Sequence, residues 1–193
     1  MLFARVFTPG CREKDQESAR ARFLLVADSA HHLYPDKHKF IEVPTCGDYG
    51  YYHALKWLWM QPGDLVIIEQ DLEFRWHDFE TFEECRCLMC AFAYTIYPKS
   101  TLLSGPVIAH RVKDAQADPP FRWISKDSKT ADIVGLGMTR FSERVKQRVY
   151  PFAADKSTAW HYTNCDTLLS DRLSTNLDMP FNIHWPEAAH HHA

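Results

Sequence analysis

Apolar residues in this chain occur both in short continuous runs and at helical spacing, which predicts alternating strands and helices. Two continuous runs, Leu2 to Phe7 and Leu65 to Ile68, are predicted to form buried strands. Three further strands are predicted at Phe23 to Ala27, Phe40 to Val43 and Ile133 to Gly137. The short continuous runs are typical of strands covered on both faces of a sheet.

Helical spacing recurs between these runs. Helices are predicted at Glu13 to Ala21, Tyr51 to Met60, Phe79 to Cys90, Phe141 to Val149 and Asp166 to Leu177. Lys113 to Lys129 is charged and contains two prolines, so it is predicted to be an exposed loop. The alternation predicts a single α/β domain over residues 1–193, with a mainly parallel sheet between two helical layers.

Composition narrows the classes of protein that fit. The chain has 193 residues, 46% of them hydrophobic, and a net charge of -3, so its overall charge gives no reason to bind nucleic acid or anionic lipid. No apolar run approaches the roughly 20 residues of a membrane helix. The first residues lack the pattern of a signal peptide, which predicts a cytoplasmic protein with six reduced cysteines.

Three of those cysteines, Cys85, Cys87 and Cys90, lie within six residues. Three thiolates and a remote cysteine or histidine can hold zinc. No second Cys-x-x-Cys pair completes the usual pattern, which favours buried thiols beside the aromatic residues that follow. The three consecutive histidines near the C-terminus, residues 190–192, are short for an expression tag and are treated as native.

The acidic segment Glu69-Gln70-Asp71 follows the clearest central strand. In open α/β sheets, ligands bind beyond the carboxyl ends of the strands. Residues two apart on an extended chain face the same way, so both carboxylates are predicted to point into one pocket. Such oxygen ligands suit Mg²⁺ or Mn²⁺, and these ions bind diphosphates. The alternative interpretation is an acidic strand end at the protein surface.

Several blocks together resemble a family of small glycosyltransferase-like proteins, with the GT-A fold, from bacteriophage genomes. The segment from Asp64 to Asp71 resembles the strand and Asp-x-Asp motif of GT-A enzymes, with Glu69 in place of the first aspartate. The other blocks are Tyr51 to Trp59, Cys85 to Tyr94, Gly137 to Phe141, Trp160 to Asp166 and the His184-Trp-Pro ending with its later histidines. The resemblance covers most of residues 40–193.

The resemblance implies transfer of a sugar from a nucleotide-sugar donor to a hydroxyl group. Asp71 would bind the Mn²⁺ or Mg²⁺ ion that bridges the donor diphosphate, and Glu69 would touch the ribose or a metal-bound water. A C-terminal histidine would complete the metal shell, with His190 as first choice and His184 as second. Replacement of aspartate by Glu69 leaves the strength of metal binding open.

An inverting transferase also needs a carboxylate base near the acceptor oxygen. Asp166 is the candidate, because it begins an amphipathic run near Trp160, a possible sugar-stacking surface. Its alternative role is a helix N-cap. Arg140 is a candidate contact for phosphate or acceptor, and its alternative is an ordinary surface or ion-paired arginine.

The donor pocket is predicted around two segments. Thr8 and Pro9, at the end of the first strand, would border the nucleotide base. Asp48, Tyr49 and Tyr52 would line the pocket, although aromatic residues at helical spacing are more often core residues.

The leading candidate for the acceptor is a hydroxymethylated pyrimidine in DNA, and a glycan or small molecule is the alternative. A DNA acceptor would use Arg140, Arg144, Lys146 and Arg148 as a phosphate-binding face, and a phage-encoded enzyme would act in the host cytoplasm. Two other functions fit the same residues. One is a noncatalytic nucleic-acid-binding or interaction module stabilised by zinc on the three cysteines and a histidine, and the other is a metal-dependent hydrolase.

Overall fold

The computed structural model describes residues 1–10, 13–96, 107–108, 110–116, 121–125, 128–152, 165–185 and 190–191. Within these ranges, the side chains of residues 13–15, 95–96, 107–108, 165–166 and 190–191 are outside the description. No helix in the described ranges is long and apolar enough to cross a bilayer.

Strands and helices alternate through the first half of the chain and the strands become shorter after it. The helices are α1 (Glu13–Leu33), α2 (Gly47–Trp59), α3 (Trp76–Glu84), α4 (Glu143–Arg148) and α5 (Cys165–Leu177). The longer strands are β1 (Leu2–Phe7), β2 (Lys39–Pro44), β3 (Leu65–Glu69), β4 (Met89–Phe92), β7 (His110–Lys113), β11 (Met138–Phe141) and β12 (Phe181–His184). The shorter ones are β5 (Tyr94–Ile96), β6 (Val107–Ile108), β8 (Phe121–Trp123), β9 (Thr130–Ala131), β10 (Ile133–Val134) and β13 (His190–His191).

The central sheet has seven strands in the described part of the chain, in the order β2-β1-β3-β11-β4-β12-β9. β1 is parallel to both β2 and β3, and β12 is parallel to β4. β11 is antiparallel to both of its neighbours, so β3 and β4 run in the same direction. The predicted mainly parallel sheet is confirmed, with β11 and the edge strand β9 as antiparallel members.

Alternate residues of β3 enter different cores, as the two-residue period of a strand requires. Leu65 and Ile67 pack in the core formed with α2, α4 and α5. Val66 and Ile68 pack in the core formed with α1 and α3. Helices therefore cover both faces of the sheet, and the predicted three-layer α/β/α architecture with a mainly parallel sheet is confirmed.

The predicted strand at Phe23 to Ala27 is wrong, because this run is the middle of α1. Phe23 and Val26 are buried, whereas Leu24 and Leu25 are 45% and 59% exposed. Burial at a spacing of three residues is the helical period. A short apolar run does not distinguish a strand from a helix, and the packing of α1 against the sheet decided between them.

Other boundaries moved by a few residues. α3 begins at Trp76 and ends at Glu84, so Cys85 to Leu88 leave the predicted helix and lead into β4. The predicted loop from Lys113 to Lys129 contains the short strand β8, which pairs with β7. The observed bounds of β1, β3 and α5 lie within one residue of the predicted ones.

Gly137 lies where three segments meet beside the end of β3. Its carbonyl accepts from the Glu69 N–H at 2.7 Å, and its own N–H donates to Tyr94 Oη at 3.2 Å. A Cβ at this position would lie 2.5 Å from Leu72 Cδ1 and 2.7 Å from Tyr94 Cζ, well inside van der Waals contact. The close approach of these buried side chains requires a glycine.

We predict that Gly137→Ala lowers the free energy of unfolding by about 1–3 kcal/mol, the usual cost of overpacking a core. Gly50→Ala, within α2, is the matched control, because the added Cβ would make only an ordinary 3.5 Å contact with the backbone of Thr45. That control should be neutral or stabilising by up to about 1 kcal/mol, as alanine favours a helix. Urea unfolding of both variants tests this, and equal stabilities would contradict the packing argument.

Candidate functional site

The order of strands reverses between β1 and β3. From β1 the chain continues to β2, which pairs with one edge of β1. It then crosses to β3, which pairs with the other edge of β1. In doubly wound sheets, ligands bind in the crevice outside such a reversal, at the carboxyl ends of the strands. We call the residues there, 8–10, 45–46 and 69–71, the switch-point edge.

Side-chain hydrogen bonds join the three segments of the switch-point edge. The Thr8 N–H donates to Gln70 Oε1 at 2.6 Å, and the hydroxyls of Thr8 and Thr45 lie 3.1 Å apart. Gln16 of α1 donates to the Thr8 carbonyl at 3.1 Å and to Gln70 Oε1 at 3.2 Å. Pro9, next to this network, is exposed. The edge is therefore a connected surface with an accessible rim.

Arg5 supports the switch-point edge from inside the protein. Its side chain is fully buried, at 1% exposure, and donates to Glu42 Oε1 at 2.9 Å. Its other terminal nitrogen donates to the carbonyls of Gln16 and Gln70 at 3.2 and 3.1 Å. Burial lowers the pKa of Arg5, and the charge of Glu42 opposes that effect. One guanidinium thus joins β1, β2, α1 and the segment after β3.

The two predicted carboxylates have different surroundings. Leu72 N–H donates to the Glu69 carbonyl at 3.2 Å and closes a turn, so the chain is not extended beyond Glu69. The inference that the two side chains face the same way therefore does not apply. Glu69 accepts a hydrogen bond from Tyr51 Oη at 2.6 Å. Asp71 is buried, and its charge lies close enough to Arg5 to raise the pKa of Arg5.

The start of α2 follows β2 at the same edge of the sheet. Asp48 and Tyr49 are exposed in its first turn, and the Tyr49 ring packs 4.3 Å from His53. Tyr52 turns towards Phe152, with ring centroids 5.6 Å apart. Of the residues predicted to line the donor pocket, Asp48 and Tyr49 are thus accessible and Tyr52 contributes to packing.

Arg140 lies away from the switch-point edge, which differs from its predicted contact with phosphate or acceptor. It lies on the buried strand β11 and forms an ion pair with Asp64, the residue just before β3. Its other nitrogen donates to the Cys87 carbonyl at 2.8 Å. These partners lie at the amino end of β3, opposite Glu69 and Asp71. The structure therefore gives Arg140 its alternative role, an ion-paired arginine.

The predicted basic face is also divided. Arg140 is buried in the sheet, and Lys146 bonds to the carbonyl of Gln61. Burial lowers the pKa of Lys146. Arg144 and Arg148 are exposed on α4. Only two of the four predicted phosphate contacts are therefore fully exposed on the described surface.

The two alternative candidates for the histidine ligand of the catalytic metal lie in different strands, β12 and β13. His184 Nε2 lies 3.3 Å from Cys85 Sγ, in a cluster of cysteines. His190 lies in β13, where its backbone pairs with Tyr94 of β5. Tyr94 contacts Gly137, which is bonded to Glu69, so the backbone of His190 is linked to the switch-point edge. The side chain of His190 is outside the described residues.

Asp166 is in the first turn of α5, and its side chain is also outside the description. Ser170, one turn later, accepts from the Val134 N–H at 3.2 Å, which fixes α5 against β10. The predicted sugar-stacking residue Trp160 lies outside the described residues. The assignment of Asp166 as the catalytic base therefore remains a prediction.

Sequence reasoning missed the polar residues that connect the edge. Tyr51 belongs to the helical spacing of a predicted helix, and Gln70 lies between two acids that the sequence marks as the candidate ligands. Arg5 interrupts the apolar run of β1, and a charge within a buried strand is the signal that could have identified it. Their partners come from distant elements, which the sequence does not specify.

Comparisons with known proteins show the fold. No family model and no curated protein matches the chain. The solved structure of A197 from STIV has a TM-score of 0.54 at 11% identity, over 96% of this chain and 82% of that one. The inositol-1-phosphate CTP transferase from T. maritima has a TM-score of 0.43 at 11% identity, covering 99% and 88% of the two chains.

A putative glucose-1-phosphate thymidylyltransferase from Bacillus anthracis, in complex with sucrose, has a TM-score of 0.46 at 8% identity, over 98% and 88% of the chains. Among these three, only A197 has a TM-score above 0.5, and at 11% identity it shows a shared fold alone. The function therefore has to be argued from the residues of this chain.

We predict that Arg5→Met lowers the free energy of unfolding by about 3 kcal/mol, because it removes one partner of a buried ion pair and two backbone contacts. Arg20→Met is the matched control. Arg20 binds the same carboxylate of Glu42 at 2.8 Å, but its side chain is 57% exposed. An ion pair of an exposed side chain contributes little to stability, so the control should lose much less in urea unfolding. Equal losses would show that burial of Arg5 is unimportant.

Proposed function

We propose that this protein is a metal-dependent glycosyltransferase that binds a nucleotide-sugar donor at the switch-point edge. The observation that carries the proposal is the position of Glu69 and Asp71, at and just after the carboxyl end of β3 and beside the strand-order reversal. This is where open α/β sheets bind ligands. The resemblance of the segment from Asp64 to Asp71 to the GT-A motif supports the same assignment.

The donor set at this edge fits Mn²⁺ or Mg²⁺. Asp71 supplies a carboxylate, and Mg²⁺ commonly binds through one or two protein carboxylates together with substrate phosphates. Glu69 accepts a hydrogen bond from Tyr51 at 2.6 Å and would contact ribose or a metal-bound water. His190 is the candidate imidazole ligand, because its backbone is linked to the edge through Tyr94. A bound divalent ion would neutralise charge on the departing nucleoside diphosphate.

The remaining donor contacts follow from the strand ends. Thr8 and Pro9 border the space outside β1, where the nucleotide base would lie. Asp48 and Tyr49 present exposed side chains at the start of α2, beside the same space. The hydrogen bonds of Thr8 and Gln70 hold this surface before a donor arrives, which lowers the cost of ordering it on binding.

Asp166 is the proposed base for the acceptor hydroxyl, with the acceptor reaching it from the α5 side of the sheet. A glycan or small molecule is favoured over DNA, because Arg140 is buried and Lys146 is bonded internally. A hydroxymethylated pyrimidine in DNA is the other acceptor class. Its binding would depend on Arg144 and Arg148, and it would weaken steeply with salt.

The donor is tested first, by thermal unfolding of the protein with a panel of nucleotide sugars, each with and without Mn²⁺. A ligand that binds the folded state alone raises the melting temperature, by an amount that grows with its concentration over Kd. We expect one class of nucleoside diphosphate sugar to raise it only when Mn²⁺ is present. No shift with any donor would contradict the proposal.

The metal ligand is tested by Asp71→Asn. We predict that it abolishes release of nucleoside diphosphate from that donor, because the neutral amide is a weak ligand for a hard cation. Asp28→Asn, at an exposed position of α1, is the matched control and should keep full activity. Full turnover by Asp71→Asn would remove Asp71 from the site. If the donor is turned over at a rate that no acceptor increases, the protein would instead be the metal-dependent hydrolase.

A further inference from the structure

A second group of potential metal ligands lies away from the switch-point edge. Cys85 Sγ is 3.4 Å from Cys90 Sγ and 3.3 Å from His184 Nε2. The three ligand atoms lie within 4.8 Å of one another, and within the described residues no other group of three or more such side chains does so. Both cysteines are buried and His184 is half-buried.

These distances fit a tetrahedral metal site. Zinc lies about 2.3 Å from thiolate sulfur and about 2.0 Å from imidazole nitrogen, so two ligands at the tetrahedral angle are roughly 3.5–3.8 Å apart. The observed spacings of 3.3 and 3.4 Å need a shift of only a few tenths of an ångström. Thiolate and imidazole ligands select zinc over the hard cations that carboxylates prefer.

Cys87 is the candidate for the fourth ligand, and its sulfur would have to move towards the other three, because it lies outside the group of ligand atoms within 4.8 Å of one another. It is half-buried, two residues after Cys85, and its thiol interacts with that of Cys85. Burial raises the pKa of Cys87, and the nearby Cys85 raises it further. Hydrogen bonding with Cys90 and His184 lowers the pKa of Cys85.

Arg140 supplies the positive charge that clustered thiolates need. Its guanidinium donates to the Cys87 carbonyl at 2.8 Å and is close enough to Cys85 and Cys90 to interact with both electrostatically. Outer groups of this kind orient ligands and tune metal sites. The buried ion pair of Arg140 with Asp64 therefore has a second consequence, which is to place a cation beside the sulfurs.

We propose that Cys85, Cys90 and His184, with Cys87 as fourth ligand, form a structural zinc site. The site would join the segment after α3, strand β4 and the end of β12, which is 99 residues from Cys85 along the chain. A closed set of four protein ligands leaves no position for substrate, as in structural zinc sites. This proposal does not depend on the glycosyltransferase assignment.

The test is metal analysis of the full chain, purified under reducing conditions without chelator or nickel resin. We expect about one zinc per chain, retained through dialysis, and a lower melting temperature once a strong chelator removes it. Metal-depleted protein should bind Co²⁺ and develop the absorption bands of tetrahedral thiolate coordination. Protein that holds no zinc and takes up neither ion overturns the proposal, whether its thiols are free or Cys85 and Cys90 are joined in a disulfide.

Two variants and a control locate the metal. His184→Gln, at a half-buried position, should weaken zinc binding by at least about tenfold in a chelator competition. Cys46→Ser is the matched control, because Cys46 is an exposed free cysteine outside the cluster. Asp71→Asn should also keep its zinc, which separates this site from the proposed donor metal. Zinc content and affinity unchanged in both His184→Gln and Cys85→Ser would place the metal elsewhere.

Discussion

The buried guanidinium of Arg5 is the interaction on which the candidate site depends. A charge taken out of water is costly unless it is paired and its donors are satisfied. Arg5 is paired with Glu42, and its two terminal nitrogens donate to β2, α1 and the segment after β3, while its Nε has no hydrogen-bond partner among the described residues. The requirement to satisfy one cation therefore fixes where these segments end relative to one another. The positions of Thr8 and Gln70, and through them the shape of the switch-point edge, follow from it.

The two candidate metal sites differ in chemistry and in position. The switch-point edge offers carboxylate oxygens at the ends of parallel strands, which suit an exchangeable hard cation bound with its substrate. The cysteine cluster offers sulfur and nitrogen within the α1 and α3 side of the sheet, which suits a permanently bound soft cation. Two interpretations that compete for the same histidines in the sequence thus become compatible, because His184 lies with the cysteines and the backbone of His190 lies beside Tyr94.

The sequence by itself determined the order of most elements and the fold class. The runs at Leu2 to Phe7 and Leu65 to Ile68 are apolar enough to require burial on both faces, and only a sheet between helical layers provides this. It also located the acids after β3, since a strand that ends in charged residues must reach the surface there. The strand prediction at Phe23 to Ala27 was wrong because an apolar run of five residues fits the period of a helix as well as that of a strand.

The tertiary structure decided which side chains meet. Arg140 looked like a surface cation from its basic neighbours, yet the placement of β11 between β3 and β4 buried it against Asp64. Tyr51 reaches Glu69, and His184 reaches Cys85, across 18 and 99 residues of chain. The local sequence determines the hydrophobic period of a helix or strand and where that helix or strand ends. It carries no information on contacts between distant elements, because these depend on strand order and on how each helix rotates to bury its apolar face.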